Sequence, residues 1–518
     1  MGSSDYVIGV DVGTGSVRAA LVSAAGTMVK SAVKEIKTWN PKPNFHQQSS
    51  EDIWNAVCAT VKEVCNGIEK TAVKGIGFDA TCSLGFLTRN CSEQTQNVIL
   101  WMDHRAEKEA EFINKLNHPV LKYTGGKISL EMETPKLLWL KRNLFDTCWK
   151  QAGHFFDLPD FLTWRATDGH IILYHIIPIS YTSPARRNIM FLEHISRSIV
   201  KSPGDPCGHG LDKKAALELG LVEGTAVGAS IIDAHAGGLG LIGLQSDIVP
   251  SSFETRISKS PSLFVEGVWG PYYSAMVPQM YLNEGGQSVS GKLIDVIIDN
   301  HSATPSIKKK LPSKIIYEYL SSVLNSLAEK SNVENVDELT KDLHVWPDFH
   351  GNRSPLADPS LKGMICGLTL SSTEEDLAIL YLAALQSLSY GARHILETLQ
   401  EAGYEKFRAL LVCGGLSKSP LFMQTLANCL QTPVLRQDSQ DSVLLGAAML
   451  GAYASGMYAS VADAMSSMTG SAQVTLPKTV LKDYNQRKYN VFKKMVSDQK
   501  DYELMMEGKT SNINGKSQ

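Results

Sequence analysis

The sequence predicts an α/β protein of more than one domain, on three observations. Two apolar runs, Tyr6–Val10 and Ala19–Val22, flank a glycine-bearing turn and give a β-hairpin rooted in a buried sheet. Further strand-length apolar runs are interleaved with capped helical stretches along the chain. Its 518 residues exceed what one hydrophobic core ordinarily serves.

The first hairpin carries the densest chemistry. Asp11, Gly13, Thr14, Gly15, Ser16 and Arg18 fall in or beside its turn. Gly13 and Gly15 let the backbone approach a ligand and aim successive N–H groups at it, which suits a phosphate. Asp11, at the mouth of the first strand, is placed to hold Mg²⁺ through water. A dinucleotide-binding turn is excluded, because the run Gly13–Arg18 lacks a third glycine and a strand follows it. An ordinary tight turn is the competing account of the same residues.

Composition narrows the partners. The 53 acidic residues nearly balance 50 basic ones, so neither nucleic acid nor a membrane surface is an expected partner. Nine cysteines without a C-x-x-C spacing imply reduced thiols, and with no signal peptide they point to a soluble cytoplasmic protein. No apolar run approaches the roughly 20 residues that span a bilayer.

In chain order, Ser49–Asp52 caps a helix whose apolar face is Ile53, Val57, Val61 and Val64. Gly75–Leu84 is expected as a short strand ending in small polar residues. Val98–Leu100 is expected as a strand ending in Trp101-Met102-Asp103-His104-Arg105, where an aromatic ring beside an acid, a histidine and an arginine suits a polyol. A solvated loop with a packed tryptophan explains that run equally well. Thr134–Leu144 is expected as a helix, and His154–Trp164 as an apolar segment. Asp233, directly after an apolar run and before a glycine-rich helical one, is placed either as a general base or as a helix N-cap. Ser372 with Glu375 is expected to cap a long helix over Glu374–Glu401. Ala409–Cys413 is expected as a strand running into Gly414-Gly415, where bare backbone admits a flat nucleotide. Leu444–Gly456 is a small-residue helix suited to close packing.

Taken together, DVGTGSVR, GIGFDATCS, WMDHRA, IDAHAGG, NEGGQS, GNRSPLAD, GMICGL and CGGLSKSPLF resemble, in order and spacing, the FGGY carbohydrate kinase family and its ribulokinase-like branch. The resemblance covers most of the chain. It implies two ribonuclease-H-like domains of the actin, hexokinase and Hsp70 superfamily hinged around a central cleft. The N-terminal domain (residues 1–243) would hold the sugar, the C-terminal domain (residues 244–509) the nucleotide, and residues 510–518 would be a disordered tail. The implied reaction is ATP-dependent phosphorylation of a pentulose, D-ribulose to D-ribulose 5-phosphate before other pentuloses or pentitols, with Mg²⁺ as cofactor. Asp233 would be the catalytic base. Thr81, Trp101, Asp103, His104, Arg105 and Asp233 would face the sugar. Gly13, Thr14, Gly15, Ser16, Arg18, Gln287, Gly414, Gly415 and Ser419 would face the nucleotide and its phosphates, with Asp11 on the metal. A homodimer is compatible with the resemblance.

Three departures from the family pattern stand out. Ser419 replaces the asparagine of nearby family members. Residues 168–200 do not resemble the family segment. After Gly243, Leu244–Ile257 reads LQSDIVPSSFETRI where the family has a second phosphate hairpin ending Cys-Gly-Thr-Ser-Ser. The second domain is therefore expected to lack its opening hairpin, and an inactive or binding-only relative is the alternative function.

Overall fold

The structure, a computed structural model, describes residues 5–88, 96–167, 201–248, 263–312, 315–438 and 441–509. The atypical residues 168–200, residues 249–257 of the second atypical stretch and the 510–518 tail lie outside the described residues. By contacts the chain forms two compact units, Met1–Glu284 with Arg436–Gln473, and Gly285–Leu435 with Val474–Gln518.

The first unit is organised on a mixed six-stranded sheet. Ile231–Ile232, Val73–Ala80, Tyr6–Val12, Ser16–Ser23 and Met28–Glu35 are neighbours in that order, and Ala226–Val227 also pairs with Val73–Ala80. The expected hairpin is present, antiparallel, with Val12 opposite Val17 and the Gly13 amide closing the turn on the Ser16 carbonyl at 3.0 Å. Tyr6–Val12 and Val73–Ala80 run parallel, with a helix, Ser50–Val64, in the crossover between them. That helix starts as expected: the Ser49 hydroxyl accepts from the Asp52 amide, and Ile53, Val57, Val61 and Val64 are buried.

Strand alternation then separates two faces. Ile8, Val10, Val12, Ile76, Phe78 and Ala80 join Ser50–Val64 in one core cluster. The opposite face carries Val7 and Gly9 on one strand and Gly75 and Gly77 on its parallel neighbour, with Gly9 in register with Gly77. Against it lies the small-residue helix, Ser442–Ala454. A Cβ at Gly9 would stand 2.0 Å from the Leu444 carbonyl oxygen, and one at Gly77 would stand 2.0 Å from that of Ala447. The helix Asp233–Ile242 packs equally closely, since a Cβ at Gly446 would stand 1.9 Å from the Ala236 carbonyl oxygen. Backbone meets backbone, and glycine is the only residue these positions admit.

One boundary of this unit differs from expectation. Gly75–Leu84 is not one strand: the first strand ends at Ala80, and Leu84–Thr88 belongs to a separate four-stranded sheet with Gln47–Gln48, Val98–Ile99 and Ala152–Asp157. The bonds of Thr81 to Val12 and of Ser83 to Thr81 turn the chain out between them. Following Asp233–Ile242, Gln245 bridges Ser471 in parallel, and the Ala472 amide donates to the Gln245 carbonyl.

The second unit is built around Glu374–Glu401, whose residues Leu377, Ala378 and Leu380–Leu385 are buried among the helices Gly291–Asp299, Ile316–Lys330 and Pro420–Leu430. Its capping box is Thr373 with Asp376, one residue beyond the expected Ser372 and Glu375. Of the strand expected over Ala409–Cys413, Leu410–Leu411 is extended and pairs in parallel with Val434 and Leu435. Among the described residues no helix is long and apolar enough to cross a membrane.

The glycine face yields a stability prediction. Gly77→Ala forces backbone apart and should cost about 3 kcal/mol or more, at or beyond the upper end of core overpacking. Gly15→Ala meets nothing within 4 Å and should leave the thermal midpoint nearly unchanged. Thermal denaturation of the two variants side by side checks this; equal midpoints would refute it.

Candidate active site

Three parallel strands deliver the polar groups in order across one edge of the first sheet. Ile231–Ile232 ends at Asp233, Val73–Ala80 carries Asp79 and leads to Thr81, and Tyr6–Val12 carries Asp11. The antiparallel Ser16–Ser23 adds Arg18 opposite Asp11. Asp11 and Asp79 are direct register partners and share a face with Gly9 and Gly77. The carboxyl ends of parallel strands are where α/β sheets ordinarily place a ligand.

The electrostatics of this edge are unbalanced. Asp11 is 1% exposed and Asp79 fully buried. Arg18 makes close ion pairs with both Asp11 and Asp441, the residue that caps Ser442–Ala454. Among the described residues the Asp79 oxygens have no hydrogen-bond donor. Burial raises the Asp79 carboxyl well above the ordinary carboxylate range, with Asp11 and Asp233 adding to the rise. Burial also raises Asp11, against the pull of Arg18. Asp233 is half-buried at the first position of its helix, and one of its oxygens accepts from the Ala234 amide at 2.7 Å. Burial, aided by Asp11, pushes its carboxyl up to about 6. It is not the N-cap; Ile232 occupies that position. His235, two residues along the helix from Asp233, places Nε2 3.4 Å from Glu284 Oε2.

The loop after Val98–Ile99 is held from below by a lysine. Lys136 is fully buried on the helix Glu133–Asn143 and donates to the carbonyls of Leu100 at 2.8 Å, Trp101 at 3.0 Å and Glu131 at 3.0 Å. Burial lowers its ammonium, with Glu133 opposing. Within the loop, Arg105 forks onto Asp103 at 2.8 and 2.7 Å while Asp103 also takes the His46 amide at 2.6 Å. The Arg105 guanidinium lies 4.2 Å from the Phe45 ring centroid and 5.2 Å from that of Trp139. His104 donates its amide to the Asn44 carbonyl at 3.0 Å. Trp101 donates its indole N–H to the Thr14 hydroxyl at 3.1 Å, joining this loop to the first hairpin. Thr81 is buried, its hydroxyl 3.0 Å from that of Ser83.

The first unit thus brings together Asp11, Gly13, Thr14, Gly15, Ser16, Arg18, Thr81, Trp101, Asp103, His104, Arg105 and Asp233. The remaining site candidates lie in the second unit. Gln287 donates to the Leu388 carbonyl at 2.8 Å and packs against Gly391. Gly414 and Gly415 open a 3₁₀ turn, and the Ser419 hydroxyl caps Pro420–Leu430 by accepting from the Phe422 amide. Asp79, Lys136 and Asp441 are further polar residues of the first unit's site. Asp79 had a sequence signal: IGVDV (residues 8–12) and IGFDA (residues 76–80) share one pattern and pair in register. Lys136 had none beyond lying on an apolar helix face.

An arrangement of strand-end carboxylates, a glycine turn and a polar loop suits phosphoryl transfer to a small hydroxylated acceptor, and the comparisons with known proteins agree. Residues 6–180 match the N-terminal domain, and residues 251–455 the C-terminal domain, of the FGGY family of carbohydrate kinases. The fold and family define a sugar kinase of the two-domain, actin- and hexokinase-like class. The chain belongs to the FGGY family of carbohydrate kinases. It is 46% identical to the human FGGY carbohydrate kinase domain-containing protein over 97% of this chain and 98% of that one. A D-ribulokinase of Saccharomyces cerevisiae is 36% identical over 87% of this chain and 72% of its own. Among solved structures, a ligand-bound xylulose kinase from Lactobacillus acidophilus superposes with a TM-score of 0.73 at 18% identity, covering 97% and 98% of the two chains.

The buried Arg105–Asp103 pair carries a prediction. Removing one partner leaves an uncompensated buried charge, which costs about 3–5 kcal/mol. Arg105→Ala and Asp103→Ala should each lower stability in chemical denaturation, and the double variant should lose much less than their sum. Additive losses would show that the two side chains do not act as a pair.

Proposed function

We propose that the chain transfers the γ-phosphoryl group of ATP to a terminal hydroxyl of D-ribulose, giving D-ribulose 5-phosphate. The observation that carries this reading is Asp233, half-buried at the end of the strand next to that of Asp79, with its carboxyl raised to about 6. At neutral pH such a group is ionised yet basic enough to accept the proton of an attacking hydroxyl. The yeast relative's description as a D-ribulokinase supports the choice of pentulose. We assign the sugar side to residues 1–243 and the nucleotide side to residues 244–509.

The remaining residues act by positioning and charge, as a loose phosphoryl-transfer transition state requires. The Gly13 amide is spent on Ser16, whereas among the described residues the Thr14 and Gly15 amides make no such bond, and they suit phosphate oxygens. Arg18 holds Asp11 in place and offsets part of its charge. Among the described residues no three His, Cys, Asp or Glu side chains converge on a single metal position. The excess of buried carboxylate at Asp11 and Asp79 over the single Arg18 nevertheless suits a divalent cation held through water and phosphate oxygens. Asp11 would hold such an ion, and Mg²⁺ there would neutralise charge on the transferring phosphoryl group. Trp101, His104 and Thr81 line the sugar side, with Asp103 and Arg105 fixing the loop. Gly414, Gly415, Ser419 and Gln287 serve the nucleotide.

An ATP-coupled assay of D-ribulose, L-ribulose, xylulose and ribitol tests the substrate; preference for any compound but D-ribulose would overturn it. The base assignment gives a second prediction. Because the base must be ionised, kcat/KM for the sugar should fall tenfold per pH unit below about 6 and level off above it. Asp233→Asn should lower kcat by roughly 10²–10⁴-fold. A carboxyl raised by folding costs stability above its folded pKa, and that cost is absent at low pH. Asp233→Asn should therefore melt no lower than the parent at pH 8. Retained turnover, or loss of fold, would refute the assignment.

A second reading, a binding-only relative, rests on Leu244–Ile257, which holds no Gly-Thr pair of the family's second phosphate hairpin. One preorganised donor is worth roughly 2.7–4 kcal/mol in such a site. A chain given Cys-Gly-Thr-Ser-Ser after Gly243 should then gain turnover strongly. Equal kcat for the two chains would dismiss this reading.

A further inference from the structure

We propose that Trp101 couples the sugar loop to the phosphate turn, so that sugar binding orders the turn for nucleotide through the Trp101–Thr14 hydrogen bond. The inference rests on the kinase reading above and assigns the indole a positioning role within it. Thr14 is tied to the rest of the unit at two points. Its hydroxyl accepts from Trp101 Nε1 at 3.1 Å and its carbonyl accepts from Gln48 Nε2 at 2.7 Å. Both donors come from the small four-stranded sheet. Gln48 lies in Gln47–Gln48, and Trp101 follows Val98–Ile99, which pairs with that strand. The turn is therefore held by the same sheet that presents the sugar loop, and not by its own hairpin alone.

Trp101 is suited to pass on a change there. Its backbone is fixed on both sides, the amide donating to Ser83 Oγ at 3.3 Å and the carbonyl accepting from the buried Lys136 at 3.0 Å. Its side chain is half-buried, so part of the ring is open to a ligand. A polyol stacked on that part fixes the ring, and the constraint reaches Thr14 through one directed bond. Gln48, 1% exposed, gives the turn a fixed second anchor, so the indole is the adjustable one. A single neutral hydrogen bond limits the coupling to roughly 3–10-fold.

The test measures the affinity of the Mg²⁺ complex of a non-hydrolysable ATP analogue by calorimetry, with and without saturating D-ribulose. The parent should bind the analogue roughly 3–10-fold more tightly with sugar present. Trp101→Phe keeps a ring and loses the donor; Thr14→Val keeps the shape and loses the acceptor. Each should bring the ratio close to 1, the double variant should change it no further, and Thr14→Ser should restore it. Hydrogen exchange at residues 13–16 should slow on sugar addition in the parent and not in Trp101→Phe, a readout independent of turnover. If Trp101→Phe binds both ligands and keeps the parental ratio, the coupling is overturned while the kinase reading stands. If the parent binds no sugar, both fall together.

Discussion

The contact on which the first unit depends is the one between Ser442–Ala454 and the glycine face of its sheet. At Gly9 and Gly77 the helix backbone stands where a side chain would otherwise be. Dispersion falls off steeply with distance, so contact this close gains from every atom of both backbones. It also leaves no latitude: a single methyl at these strand positions displaces the helix. Asp441, which caps that helix, is thereby fixed next to Arg18. A packing constraint in the middle of the sheet thus sets the position of a charge at its edge.

The same alternation that puts glycines under the helix puts carboxylates beyond its end. Gly9 and Asp11 share a face, as do Gly77 and Asp79, and the pairs are in register. Two buried carboxylates side by side, with Asp233 close by and one arginine between them and Asp441, form a site short of positive charge. Such a site costs stability when empty of cations. Its cost is tolerated because the sheet and helix over-determine the backbone that holds it.

How much of this was legible in the sequence follows from how local each signal is. The first hairpin, the Ser49 cap and the close-packing character of the last glycine-rich helix each rest on a few adjacent residues, and they were legible. The capping box slipped by one because Ser372–Glu375 and Thr373–Asp376 have the same spacing, and only the backbone chooses between them. Gly75–Leu84 read as one strand because its small residues gave no period by which to place the turn at Thr81. Parallel pairing joins Asp11 to Asp79 across a crossover, so their contact is non-local and their proximity showed only as a repeated pattern. Arg105 and Asp103 were legible as members of one loop. That they spend their charges on each other, under two aromatic rings, belongs to tertiary packing. Ser419 is a mild departure for a local reason, since serine and asparagine both serve as N-caps.

The glycines of the described residues divide by what enforces them, and the division bears on function. Gly9, Gly77 and Gly446 are enforced by packing, because a Cβ would enter another backbone. Gly414 is enforced by conformation, at φ 86° and ψ −175°, which side chains other than hydrogen avoid. Gly13, Gly15 and Gly415 are enforced by neither. Their φ values are not in the left-handed region, and the nearest atom to a Cβ on Gly13 is 3.7 Å away, with nothing within 4 Å of Gly15 or Gly415. Packing and backbone geometry explain the first two groups without a ligand. For the third, bare backbone facing open space leaves room for a group to approach it closely. Two of these three flank Thr14, the residue that Trp101 holds, and the other follows Gly414 at the start of its turn. Gly13, Gly15 and Gly415 are the positions of this third kind at which phosphate and nucleotide contacts are proposed; Gly85, Gly291 and Gly470 are equally free of close contact and carry no such proposal.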